Sequence, residues 1–229
     1  MNSKRIKSVV MTAAFLLGAT SAFADTFNST LTTGNSDISG HAGPYGTVLV
    51  TTTGTNTATI TFTADAGFLF AAQGATAVEL NSTNFTINSF TGTSPTGFSG
   101  PSLQNAGAGQ EDGFGNFNQT FDEFDGYGYA LNTMTFTVTN SGTSWAGLAA
   151  NVLGLDANGF DAAAHIFVCN TNPCSTLANG GSATVTGYAG EGGGVITNPT
   201  PEPASLGLLG TGLLAVSGMV VRRRWRTAV

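Results

Sequence analysis

Between Gln110 and Tyr129 the sequence reads QEDGFGNFNQTFDEFDGYGY, and Glu111, Asp112, Asp122, Glu123 and Asp125 gather there among glycines and aromatics. Carboxylates in glycine-containing loops are hard oxygen ligands, which suits calcium and its shell of six to eight oxygens. A second run, DANGFD, offers Asp156, Asn158 and Asp161 in a tight turn. Calcium is the only cofactor these residues point to, with Asp122, Asp125, Asp156, Asn158 and Asp161 as candidate ligands. The pattern lacks the glutamate that closes an EF-hand loop. The plainer and preferred reading is that short Asp-Gly runs cap turns and solvate an acidic surface. Paired carboxylates can also cleave a glycosidic bond. Asp122 and Asp125 are the pair to consider, with Tyr127 or Trp145 as a sugar platform, although large aromatics more often pack in a core.

Other chemistry finds little support. His165 lies in the apolar run AHIFVCN and His41 in the loop-like SGHAGPYG. A lone histidine in an apolar strand is more often a packed or edge residue than a base. No Gly-x-Ser-x-Gly elbow is present, and no serine, histidine and acid are grouped. The expectation is that the chain has no catalytic residues. Cys169 and Cys174 are the two cysteines. Asn170 to Pro173 between them suits a turn, and in an oxidising compartment a local disulfide is the expectation. A zinc site would need more ligands at closer spacing.

Charge separates the middle of the chain from its ends. The seven basic residues are Lys4, Arg5 and Lys7, then Arg222, Arg223, Arg224 and Arg226. Of the thirteen acids only Glu202 falls outside residues 25–200, so that stretch holds twelve acids and no Lys or Arg. Nucleic-acid binding needs cations that displace counterions from phosphates, and is excluded as a partner class. Phosphorylated ligands lose their usual clamp for the same reason.

The basic ends frame two apolar runs. Lys4, Arg5 and Lys7, the apolar stretch Val9 to Ala19, and Ala22-Phe23-Ala24 have the three parts of a signal peptide. Residues 1–24 are therefore expected to direct export, with signal peptidase cutting before Asp25. The uncharged run Ala204 to Val221 would reach about 27 Å as a helix, enough for a hydrocarbon core. The arginines after it favour the cytoplasmic side. The expectation is a C-terminal transmembrane helix with its short tail inside the cell.

Pro201-Glu202-Pro203, the apolar run and the arginine cluster, in that order, resemble the PEP-CTERM sorting signal of exported bacterial proteins. The resemblance covers residues 201–229. It implies recognition by exosortase, a membrane-embedded transpeptidase-like enzyme. It also implies processing near the motif, delivery to the cell surface or extracellular matrix, and an association with exopolysaccharide. The physics suits such an address. Pro201 and Pro203 fix φ and remove backbone donors, so the segment stays extended. Glu202 is the one charged handle within it. The stretch FDGYGYALNTMTFTVTN, with the later Trp145 and DAAAHIFVCN, also resembles a recurring ectodomain found before such tails, for which no activity is implied.

Residues 25–190 read as one all-β domain. In TATITFTA (Thr57–Ala64), Ala58, Ile60 and Phe62 alternate with four threonines, and NTMTFTVTN (Asn132–Asn140) repeats the pattern. Period two with a β-branched polar face marks half-buried strands. Tyr45–Thr52, Thr83–Phe90 and Ala164–Asn170 are further expected strands. Ser144–Leu153 could hold one short helix, capped by Ser144, with Leu148 and Val152 on one face. Many short strands and 16 phenylalanines predict an antiparallel, jelly-roll-like β-sandwich with a real core. Residues 191–200 are expected to be a glycine-rich spacer. The function expected is that of an exported, structural surface or matrix protein near extracellular polysaccharide. A carbohydrate-binding module or a carboxylate-dependent glycosidase is the alternative.

Overall fold

A computed structural model of the chain describes residues 24–71, 76–98, 103–122, 129–172, 174 and 183–191. The chain divides into two compact units, Met1–Thr197 and Asn198–Val229, and all described residues lie in the first. The signal-peptide run before Ala24, Asp125, and the whole of residues 192–229 fall outside the described residues. Among the described residues no helix is long and apolar enough to cross a membrane.

The described fold is all-β and antiparallel. Its strands are β1 (Thr26–Gly34), β2 (Gly46–Thr52), β3 (Thr57–Ala64), β4 (Phe68–Ala71), β5 (Thr76–Val78) and β6 (Phe85–Thr93). They continue with β7 (Gln104–Glu111), β8 (Gly115–Asp122), β9 (Ala130–Leu131), β10 (Thr133–Asn140), β11 (Ala162–Cys169) and β12 (Ala183–Glu191). Hydrogen bonds link them in the order β6-β10-β3-β2-β1-β12-β11-β5-β8-β7, with β4 joined to β11 and β9. This is one continuous sheet, whereas a jelly roll has two.

The sandwich arises because the sheet curls onto itself. Val48 and Val50 of β2, Ala58, Ile60 and Phe62 of β3, and Met134, Phe136 and Val138 of β10 face inward and are buried. They meet side chains from the other half of the sheet. Phe62 packs edge-on against Phe70 of β4 with ring centroids 6.0 Å apart. Phe121 of β8 lies 4.5 Å from Phe136 and 5.5 Å from Phe90 of β6. Strands at opposite ends of the hydrogen-bonded order thus share one core, which is what makes the fold close.

β11 carries a second apolar layer. Ala162, Ala164, Ile166 and Val168 enter the main core. On its other face, Phe167 packs with Leu69, Ala71, Ala130 and Phe98, and Ala163 packs with Ala77, Phe114 and Phe117. A strand covered on both faces reads as a nearly unbroken apolar run rather than an alternation, and AAAHIFVC does so. Cys169 and Cys174 form a disulfide beside Phe167 and Phe98, with Cα atoms 5.3 Å apart.

Three sequence expectations are corrected here. Gly115–Asp122, read as part of an acidic loop, is the strand β8, paired on both sides with β5 and β7. The short helix over Ser144–Leu153 is only a 3-10 turn at Ala149–Asn151. Ala146 and Gly147 adopt left-handed φ values of 57° and 74°, which a right-handed helix cannot pass through. The Ser144 hydroxyl accepts from the Ala146 N–H instead of capping a helix. Leu148 is 46% exposed while Val152 is buried, so they do not share a face. β12 also runs through Glu191, one residue into the expected spacer.

Candidate functional site

The acidic residues singled out from sequence go to three places. Asp156 opens the turn before β11. Its Oδ1 accepts from the N–H groups of Asn158 and Phe160, at 2.8 and 2.9 Å, and the Asn158 amide donates to the Phe114 carbonyl. Asp156 Oδ2 is buried without a hydrogen-bond partner, above Gly115. A side chain at Gly115 would strike both that oxygen and Asn158, and its φ of +109° is one that glycine alone adopts readily. Glu79, which follows β5, lies within Coulomb reach of Asp156. Its carboxylate accepts from the backbone and side-chain N–H groups of Asn118 at 2.9 and 3.1 Å. Burial raises its pKa, the Asn118 backbone bond lowers it, and Asp156 raises it further.

Asp161 turns the other way. It is buried, and its Oδ1 accepts from the Ser29 hydroxyl of β1 at 3.1 Å. Burial pushes its pKa up to about 6 against the help of that hydrogen bond. Asp156 and Asn158 therefore share one turn, whereas Asp161 is spent inside the fold. Asp122 closes β8, and Asp125 is outside the described residues. Among the described residues no group of three or more His, Cys, Asp or Glu could hold a metal ion.

The third place is the most perturbed, and lies where β7, β8 and β12 meet. Glu111, the last residue of β7, is 1% exposed, and its Oε2 has no hydrogen-bond partner. Burial, helped by the nearby Asp122 charge, pushes its pKa up to about 9. Tyr188 of β12 is pushed up to about 12, first by burial and then by Glu111, Asp112 and Asp122. His165 of β11 pairs with Tyr188 across the ladder, and the rings stack with centroids 4.5 Å apart and planes 12° apart. Phe114 closes one side, lying over Gly190.

This cluster was missed as a unit in the sequence because Glu111, His165 and Tyr188 come from three separate segments. The signal that could have found it is the length of residues 25–200 without a cation. A buried glutamate there has no Lys or Arg to pair with, so protonation is its remaining way to avoid a bare buried charge. Glu111 is thus held in its neutral form near neutral pH, able to donate one hydrogen bond and accept others. An acid, a phenol and an imidazole with no Lys or Arg beside them offer no cationic clamp for an anion, and among the described residues no group of His, Cys, Asp or Glu makes a metal cage.

The sugar-platform role considered for Trp145 does not survive. Trp145 is 1% exposed, packs in the main core, and donates its indole N–H to the Asn81 carbonyl at 3.0 Å. A ring with both faces covered cannot stack on a ligand. Tyr127 lies outside the described residues.

Comparison with known proteins agrees with the tail rather than the domain. No curated protein and no solved structure matches the chain. Residues 199–224 match the family model of the PEP-CTERM protein-sorting motif, so the chain carries the sorting signal of an exosortase-processed surface or extracellular protein.

Proposed function

We propose that the chain is a structural, non-enzymatic component of the cell surface or extracellular matrix, delivered there by exosortase and working beside exopolysaccharide in a biofilm. The observation that carries this reading is the sorting motif over residues 199–224 on the same chain as a compact β domain. On this reading signal peptidase removes residues 1–24, Ala204–Val221 holds the chain in the membrane as a helix, and exosortase then processes it near Pro201–Pro203. The described domain suits release after cutting before Asp25. Asp25 is tied down by its backbone to Thr52 and by its carboxylate to the Ala149 N–H at 2.7 Å.

The test is the intact mass and C-terminal peptide map of the protein from its own host, with and without Glu202→Ala. A chain from Asp25 to near Pro203, shifting to one that retains Ala204–Val229 in the variant, supports the reading. A native chain that keeps the whole tail rejects processing. Turnover of any glycan by the purified domain rejects the non-enzymatic part.

A further inference from the structure

The outward face of the β3–β10 pair is made of threonine alone. Residues 57, 59, 61 and 63 of β3 and 133, 135, 137 and 139 of β10 all point away from the core. The register sets them opposite one another, Thr61 to Thr135 and Thr59 to Thr137, with no shift along the pair. Solubility does not require this. A solvated face ordinarily mixes charges, and this chain places none of its twelve domain acids here.

The side chains are also held still. Each threonine of the central rectangle Thr59, Thr61, Thr135 and Thr137 is half-buried by its neighbours, and β-branching restricts χ1. The Thr61 and Thr135 hydroxyls bond to each other at 3.1 Å, and Thr137 bonds Ser89 on β6 at 2.8 Å. The threonine positions therefore repeat about every 4.8 Å across the strands and about every 6.8 Å along them. Twist accumulates across a sheet at roughly 20–25° per strand, so the unshifted central pair is the most regular part of the array.

A regular two-dimensional repeat of restrained side chains suits a lattice rather than a small ligand, which would want a cavity. Two lattices are uncharged and hydroxylated, a crystalline polysaccharide and ice. Sugar faces are usually gripped by exposed aromatic rings, and among the described residues the exposed large hydrophobic side chains are Leu49, Leu148 and Leu155, none of them aromatic. Ice excludes ions and places rows of water oxygens at spacings close to those of the threonine array. A face free of charge, with hydroxyls to join those rows and methyls to order water between them, is complementary to it. We infer that the β3–β10 threonine face binds ice.

The test freezes a solution of the purified full chain slowly from a cold surface and measures its partition between ice and liquid, together with its inhibition of ice recrystallisation. The variants are Thr61→Tyr/Thr135→Tyr, which stands two rings up from the face, and Thr61→Val/Thr135→Val, which keeps the shape and removes two hydroxyls. Ala157→Tyr, at an exposed turn, is the control. The expected result is enrichment of wild type and control in the ice, at least ten-fold less for the tyrosine variant, and an intermediate loss for the valine variant. Melting temperatures should stay close to wild type. Wild type left in the liquid at every freezing rate overturns the proposal, as does a folded tyrosine variant that partitions like wild type. If the tyrosine variant fails to fold, the valine variant decides: equal partition to wild type overturns the proposal.

Discussion

Glu111→Gln isolates a carboxyl that the fold keeps protonated. In the unfolded chain Glu111 titrates near its ordinary value of 4.5, and in the folded chain near 9. The folded state therefore holds a proton that the unfolded state has released, everywhere between those two values. Linkage then makes stability fall as pH rises, by about 1.4 kcal/mol per pH unit for this group. The contribution is fully present below pH 4.5 and is lost progressively up to about pH 9. Between pH 5 and pH 7 the loss comes to about 3 kcal/mol, a large part of the 5–15 kcal/mol that holds an ordinary domain together. Glutamine resembles the protonated acid in shape and cannot ionise. Its stability should lie within about 1 kcal/mol of wild type at pH 5 and exceed it by about 3 kcal/mol at pH 7. Urea unfolding of both proteins at pH 5, 6 and 7 measures the difference. The other acids add their own slope through mutual repulsion, but that slope is common to both proteins and weakens with salt. The difference between them should persist at high salt. Curves that stay parallel, with a fixed offset at all three values, would mean that Glu111 is ionised in the folded protein and would refute the argument.

Trp145→Ala should cost about 3–5 kcal/mol by leaving a cavity and an unpaired Asn81 carbonyl, read as a fall in melting temperature; an unchanged melt would contradict its burial. Cys169→Ser should cost about 2 kcal/mol by freeing a short loop in the unfolded state, and reductant should reproduce the loss in wild type but add nothing in the variant. Gly190→Ala places a methyl on the Phe114 ring and should destabilise by about 1–3 kcal/mol. Phe114→Leu should make the Gly190 change cheaper, and strict additivity of the two losses would rule out their contact.

The strands legible in the sequence are those whose two faces differ. β3 falls at Thr57–Ala64, as its alternation of threonine with Ala58, Ile60 and Phe62 predicts, and β10 follows the same rule. β1 was not read as a strand because Ser29 interrupts its buried row between Phe27 and Leu31, and Ser29 is buried to serve Asp161. β7, with the sequence QNAGAGQE, has no apolar row to show. β8 does show one, in Phe117 and Phe121, but buried Gln119 and Thr120 stand between them and blur the alternation. The curling of the sheet was not legible at all. It depends on contacts such as Phe90 with Phe121, between strands at opposite ends of the hydrogen-bonded order, and no local period encodes them. For the same reason the sorting motif could be read directly, being contiguous, whereas the Glu111 cluster needed three segments to meet.

One composition fact organises the buried acids. Without Lys or Arg between residues 25 and 200, a carboxylate that enters this fold must find neutral donors or keep its proton. Asp25 takes the Ala149 N–H, Glu79 takes two N–H groups of Asn118, and Asp161 takes the Ser29 hydroxyl. Their distances are those of ordinary hydrogen bonds, and charge assistance makes such bonds roughly twice as strong as neutral ones. The pKa values follow the quality of the donors. Asp161, with burial only partly offset by Ser29, rises to about 6, and Glu111, with an unpartnered Oε2, rises to about 9. Asp161 therefore adds a second loss of stability, complete by about pH 6, where Glu111 is still in mid-course. A domain of this composition has no Lys or Arg to pair with its acids and loses stability as its medium turns alkaline. That is the reverse of acid denaturation by broken salt bridges, and it follows from the missing cations before any single residue is considered.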